Sequence, residues 1–146
     1  MKILFICAGN VGRSQMAEAI FNNLSKEKDV ATSAGTKVIR EGSNHEGQKI
    51  KYKDMNIVDV MKEISIDVSD YTRKQLTPEM FNDADRVVVM NPSENVPDYV
   101  KQNEKTIFWE VLDPYNQDLE FARQVRDQLK VKIEDFIETS LELKPN

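Results

Sequence analysis

One cysteine, Cys7, stands in 146 residues. It excludes an internal disulfide, and a reactive thiol suits a reducing compartment. The only histidine, His45, sits in a polar stretch with no cluster of partners around it. It is expected to be a solvated loop residue, and no metal or other cofactor is implied. Positive charge is in deficit, 20 Lys and Arg against 25 Asp and Glu for a net charge of −5. That balance argues against general binding to nucleic acid or to an anionic membrane. No apolar run approaches the about 20 residues of a spanning helix. The Met1-Lys2 start lacks the apolar length and the clean cleavage site of a secretory signal. A cytoplasmic location is therefore expected. No internal repeat, low-complexity run or linker interrupts the chain. With 40% hydrophobic and 31% charged residues, a single domain over residues 1–146 with its own core is expected.

What the chain does have is concentrated near its start. A short apolar run, Ile3-Leu4-Phe5-Ile6, ends at Cys7. Ala8-Gly9-Asn10-Val11-Gly12 follows, then Arg13, Ser14 and a helical pattern. This reads as strand, anion-binding loop, helix. Successive N–H groups in such a loop form a concave nest for an oxyanion. The helix behind it adds its unpaired N–H groups and the positive end of its dipole. Gly9 and Gly12 allow backbone angles closed to other residues, and Asn10 tolerates a left-handed conformation. Arg13 can form two parallel bonds to phosphate oxygens. A cysteine on the floor of such a cup is favoured as a thiolate, and Ser14 is placed to donate a hydrogen bond to its sulfur. A buried cysteine, a chance arginine and a serine cap would give the same letters. The order of strand, glycines, arginine, serine and helix favours the chemical reading.

The rest of the chain alternates strands and helices. Lys2 to Ile6 is a buried strand. Met16, Ala17, Ile20, Phe21 and Leu24 recur at helical spacing, in a helix expected to fade near Lys28. Asp29 to Ser33 reads as a second strand, stopped by Ala34-Gly35. Lys37 to Asp54 is polar and irregular. Met55, Val58, Met61 and Ile64 mark a helix whose methionines fill the core. Thr77-Pro78-Glu79 starts another. Asp85 to Met90 is a β-branched strand bounded by Asn91-Pro92, and Lys105 to Trp109 is the fourth. Trp109 is expected to pack, not to meet substrate. A final helix begins near Gln117, with Phe121, Val125, Leu129, Phe136 and Ile137 on its apolar face. This alternation predicts an α/β fold of three layers, a parallel sheet with helices on both faces. Such sheets bind ligands at the carboxyl ends of their strands. Cys7, Asn91 and Asp113 would all lie at that end.

The stretch Cys7 to Ser14 resembles the phosphate-binding loop of the low-molecular-weight protein tyrosine phosphatases and of the arsenate reductases built on the same fold. Gln15 to Glu18, Ser33 to Thr36, Val60 to Ile64, Asp85 to Met90 and Asp113-Pro114 extend the likeness over nearly the whole chain. The resemblance implies a four-stranded sheet of order 2-1-3-4. It implies that Cys7 is the nucleophile, Arg13 the phosphoryl-binding catalytic arginine and Asp113 the general acid. Ala8, Gly9, Asn10, Val11, Gly12 and Ser14 would then hold the substrate. Asp113-Pro114 alone is a common turn; its place after the fourth strand carries the assignment. Tyr115 could stack beside an aromatic substrate.

Four departures matter. Asn91 to Val96 holds no cysteine, where thioredoxin-coupled reductases carry redox cysteines. Gly12 stands where many relatives have a second loop cysteine. Only Tyr115 follows the Asp-Pro, where many phosphatases have two aromatics. The segment Lys37 to Asp54 also looks longer than in the reductases. The leading expectation is a cysteine-dependent phosphatase acting on phosphotyrosine or aryl phosphates, its partner a phosphorylated protein or a small aryl phosphate. The alternative is a single-cysteine arsenate reductase served by an external low-molecular-weight thiol. A phosphate-binding module without catalysis comes third, because binding alone needs neither a thiol nor a proton donor.

Overall fold

The computed structural model describes residues 1–25 and 29–143. Four strands make one sheet: β1 (Lys2–Cys7), β2 (Val30–Gly35), β5 (Arg86–Val89) and β6 (Thr106–Phe108), in the order β2-β1-β5-β6 and all parallel. In sequence order among these four strands this is the expected 2-1-3-4. A separate antiparallel pair, β3 (Ile39–Arg40) and β4 (Ser43–Asn44), lies inside the segment expected to be irregular. The helices are α1 (Arg13–Leu24), α2 (Met55–Lys62), α3 (Pro78–Asp83), α4 (Asp98–Lys101) and α5 (Leu119–Leu143).

Alternation along β1 builds the three layers. Ile3 and Phe5 face a core shared with Met16, Ile20 and Phe21 of α1, Ile57 and Met61 of α2, and Val125, Leu129 and Ile133 of α5. Leu4 and Ile6 face the other way, against Phe81 of α3 and Val100 of α4. Because both faces are covered, the central strands read as unbroken apolar runs. Trp109 packs against Phe5 and Phe136 with ring centroids 6.0 Å from each, the structural place expected for it.

Helix starts follow local chemistry. The Asp54 carboxylate accepts from the Asn56 N–H, and Thr77 Oγ1 accepts from the Met80 N–H ahead of Pro78. The Asp118 carboxylate accepts from the Phe121 N–H, so α5 starts just after the expected Gln117. α1 ends at Leu24; Lys28, its expected limit, lies outside the described residues. β2 does not stop at Ala34-Gly35 but runs through them, since Gly35 is in register with Cys7. Met55 is exposed, unlike buried Met61. In the 37–54 segment, Val38 and Ile50 are fully buried and anchor the polar excursion between them.

Candidate active site

β1 delivers Cys7 to the carboxyl edge of the sheet, and the chain turns there into α1. The turn is made by Asn10, whose φ is 53°. Neither Gly9 nor Gly12 adopts a positive φ, so their expected conformational role falls to Asn10. Asn10 is wholly buried and its side chain is fully engaged. Nδ2 donates to Ser14 Oγ at 2.8 Å and to Ser33 Oγ at 3.0 Å, while Oδ1 accepts from Gln15 Nε2 at 2.9 Å and from the Lys74 N–H at 2.8 Å. A left-handed non-glycine residue is held here by contacts from four sides. Gly12 is explained by space instead: a Cβ there would lie 3.0 Å from Pro114 Cγ. Gly35 is tighter still, since a Cβ would meet the Ala8 carbonyl oxygen at 2.6 Å.

Cys7 Sγ and Ser14 Oγ are 2.9 Å apart, a hydrogen-bonded pair in which either atom can donate. No side chain caps the N-terminus of α1, so its first-turn N–H groups remain open to the loop. Arg13 is buried. Its Nη1 donates to the Met90 carbonyl at 2.7 Å and the Val111 carbonyl at 3.3 Å, which anchors the guanidinium to the segments that follow β5 and β6. Its Nη2 lies 3.5 Å from Asp113 Oδ2. The other carboxylate oxygen of Asp113 accepts from the Tyr115 N–H at 3.0 Å.

These groups share one pocket of about 250 Å³. Cys7, Ala8, Gly9, Val11, Gly12, Arg13, Asp113, Pro114 and Tyr115 all line it. Asn10 and Ser14 do not; they sit behind the loop. Asn91, expected to converge with Cys7 and Asp113, is also outside, its Nδ2 donating to Thr36 Oγ1 at 3.3 Å. Among the described residues no group of three or more His, Cys, Asp or Glu is placed to hold a metal ion.

Sequence reasoning missed several residues. Gln15 is fully buried and ties the loop to the Thr72 carbonyl at 2.8 Å. Arg73 is only 3% exposed; Nε donates to the Gly9 carbonyl at 2.9 Å and Nη1 to Gln48 Oε1 at 2.8 Å. Burial, with the positive charge of Arg40 nearby, lowers its proton affinity below the usual arginine range. Asp54, half-buried at the pocket wall, has its carboxyl pushed up by desolvation, with the Asp113 charge adding to the rise against its N–H partners. Arg40, Ser43 and His45 form the rim, so His45 is exposed as expected yet stands at the pocket mouth. Gln15 stood in the sequence only as part of the Gln15 to Glu18 likeness, without a role, and no local pattern announces Arg73, because its burial is created by tertiary neighbours.

A pocket at the carboxyl end of a parallel sheet, lined by a thiol, a buried guanidinium and a carboxylate, gathers the groups that thiol-based oxyanion chemistry requires. Residues 2–145 match the sequence profile of the low molecular weight phosphotyrosine protein phosphatases. A tyrosine phosphatase structure from T. tengcongensis shares 32% identity and superposes with a TM-score of 0.79, covering 95% of this chain and 99% of that one. An arginine phosphatase from Geobacillus stearothermophilus shares 26% identity over 99% of this chain and 98% of its own, with a TM-score of 0.78. Arsenate reductase 1 of Bacillus cereus is 31% identical over 142 residues, 94% of each chain. The chain belongs to the low molecular weight phosphotyrosine protein phosphatase family.

Proposed function

We propose that this protein is a cysteine-dependent phosphatase of aryl phosphates, phosphotyrosine among them, working as one domain in a reducing compartment. The observation that carries the reading is the convergence of Cys7, Arg13 and Asp113 on one pocket from β1, α1 and the loop after β6. Neither a binding module nor a structural loop needs all three.

In this mechanism the phosphoryl group lies in the loop, its oxygens on the backbone N–H groups and on Arg13. Arg13 enters prepositioned, because the Met90 and Val111 carbonyls hold its other nitrogen. Cys7 Sγ attacks phosphorus; the S–P bond forms as the bond to the leaving oxygen breaks. Asp113 supplies that oxygen with a proton, which a phenolate with a conjugate-acid pKa of about 10 requires. Asp113 then takes a proton from water, the water oxygen attacks phosphorus, the S–P bond breaks and phosphate leaves. Ser14 stabilises the sulfur anion at both stages by its hydrogen bond. Tyr115, half-exposed on the pocket wall, offers a face to an aromatic leaving group.

A second reading is arsenate reduction, favoured by the similarity to arsenate reductases. Arsenate matches phosphate in shape and charge, and Cys7 would attack arsenic as it attacks phosphorus. Reduction to arsenite takes two electrons. With one cysteine in the chain, they require thiols from outside. A parallel assay separates the readings: phosphate release from an aryl phosphate without added thiol, beside arsenate loss with glutathione or mycothiol and their reductases. Phosphatase turnover alone is expected. Arsenate turnover without aryl phosphate hydrolysis would reverse the assignment.

A further inference from the structure

The pocket holds more positive charge than the chemistry above uses. Besides Arg13, it is lined by Arg73, Arg40 and Lys53. Among the described residues none of these three forms an ion pair. The two carboxylates of the pocket are otherwise occupied, Asp113 opposite Arg13 and Asp54 at the start of α2. Arg73 is the unusual member. An arginine that is 3% exposed as a residue normally has a carboxylate beside it; here a carbonyl and an amide oxygen accept its hydrogen bonds, with the Cys7 and Tyr115 groups favouring its charge. Those contacts use Nε and Nη1. Nη2 has no hydrogen-bond partner among the described residues and lies 3.6 Å from where a Cβ on residue 9 would be, beside the phosphate loop. Arg40 sits close enough to disfavour the Arg73 charge. Its Nε is fixed by the Lys37 carbonyl at 3.0 Å. Lys53 Nζ lies 5.1 Å from the centroid of the Tyr115 ring, so it flanks the place proposed for an aromatic leaving group.

We infer that Arg73, Arg40 and Lys53 form a second anion subsite beside the phosphate loop, which takes a carboxylate carried next to the phosphoryl group, as on a peptide with Asp or Glu flanking the phosphorylated residue. The inference rests on the phosphatase reading and names its substrate class. Arg73 is buried while Arg40 and Lys53 are exposed; like charges on one pocket wall oppose one another, and an incoming carboxylate offsets that opposition. The subsite also overcomes a handicap: a protein of net charge −5 repels acidic substrates at long range, whereas a local cluster acts within the Debye length of about 10 Å. The hairpin β3–β4 and the 50–54 turn bring Arg40 and Lys53 to the rim, which gives the 37–54 excursion a task.

The test is calorimetric binding of peptides carrying a non-hydrolysable phosphonate in place of phosphotyrosine, flanked by Glu, by Ala or by Lys, run beside hydrolysis of phenyl phosphate. The Glu peptide should bind about 2- to 5-fold tighter than the Ala peptide, the Lys peptide weaker than both. That ratio should shrink with added salt and approach one in the double variant Arg40→Gln, Lys53→Gln. Phenylphosphonate against carboxyphenylphosphonate identifies the source: a gain there supports a small anionic substrate, and a gain confined to peptides supports a protein. Equal binding of the three peptides, or a Glu preference that survives the double variant, overturns the inference. Biased binding without phenyl phosphate hydrolysis would leave the subsite standing and remove the phosphatase reading.

Discussion

Arg13 and Asp113 face each other at 3.5 Å across a pocket whose exposures differ sharply: the arginine side chain is 8% exposed and the aspartate 58%. The arginine is held by two carbonyls, and the aspartate, though it meets Arg13 and the Tyr115 N–H, keeps more than half of its side chain open to solvent. If Asp113 is the proton donor, Asp113→Asn lowers turnover of phosphotyrosine by ~10²–10⁴-fold. The loss should diminish across a series of aryl phosphates as the leaving phenol becomes more acidic. A loss of the same size at every leaving group would mean that Asp113 only holds its loop. Cys7 and Arg13 could be singled out in the sequence because the loop is contiguous and its glycines, arginine and serine come in order, whereas Asp113 rested on the resemblance to an Asp-Pro after the fourth strand. Arg73 could not be singled out. It lies in Tyr71-Thr72-Arg73-Lys74, with no periodicity to mark it. Only the folded chain brings it to the Gly9 carbonyl.

At the level of elements, two junctions position the site. The first is the packing of β2 on the phosphate loop. Gly35→Ala would place a methyl 2.6 Å from the Ala8 carbonyl oxygen and 2.7 Å from Val38 Cγ2, and a backbone oxygen cannot rotate away. We expect a destabilisation of about 1–3 kcal/mol and a larger proportional loss of activity, because the strain falls on the loop itself. Thermal unfolding and turnover measured together check this; an unaltered melting temperature would contradict the packing described. The sequence suggested that this glycine ended a strand, whereas it allows a close approach within one. The β3–β4 hairpin escaped notice for a different reason. Its four residues are all exposed, so no alternation of burial marks them, and the turn rests on Gly42 at φ 81°.

The second junction ties α2 to α5. Arg123 and Arg126 both grip Glu63, at 2.9 and 2.7 Å, and hold its carboxyl at about 2, well below the usual value. A lowered carboxyl pKa contributes stability at pH above about 4.3, where the unfolded chain is also ionised. That contribution is lost as the pH falls toward 2. Glu63→Gln should therefore lower the melting temperature at pH 6 and converge with the parent protein near pH 2. A constant difference over that range would show that the ion pairs do not stabilise the junction.

Across the whole molecule, the layers, the two-faced core and the placing of the loop ends at one edge of the sheet follow from strands that alternate with helices and were readable from apolar patterning, whereas the sheet order came from the family resemblance. What the molecule lacks is equally decisive for its chemistry. With Cys7 alone, no intramolecular disulfide relay can form, so thioredoxin with its reductase should not support arsenate turnover. Sustained NADPH oxidation in that coupled assay would promote the reductase reading.

The central claim is that phosphorus is passed to Cys7 Sγ. It is tested most directly by rapid quench in denaturant at alkaline pH of the Asp113→Asn variant turning over an aryl phosphate with an acidic leaving group, followed by mass analysis of the peptides. Loss of the base slows hydrolysis of the intermediate, so one phosphoryl group should accumulate on the peptide that contains Cys7. Turnover with no phosphoryl group on that peptide, or with the group on a serine or histidine, would contradict the account.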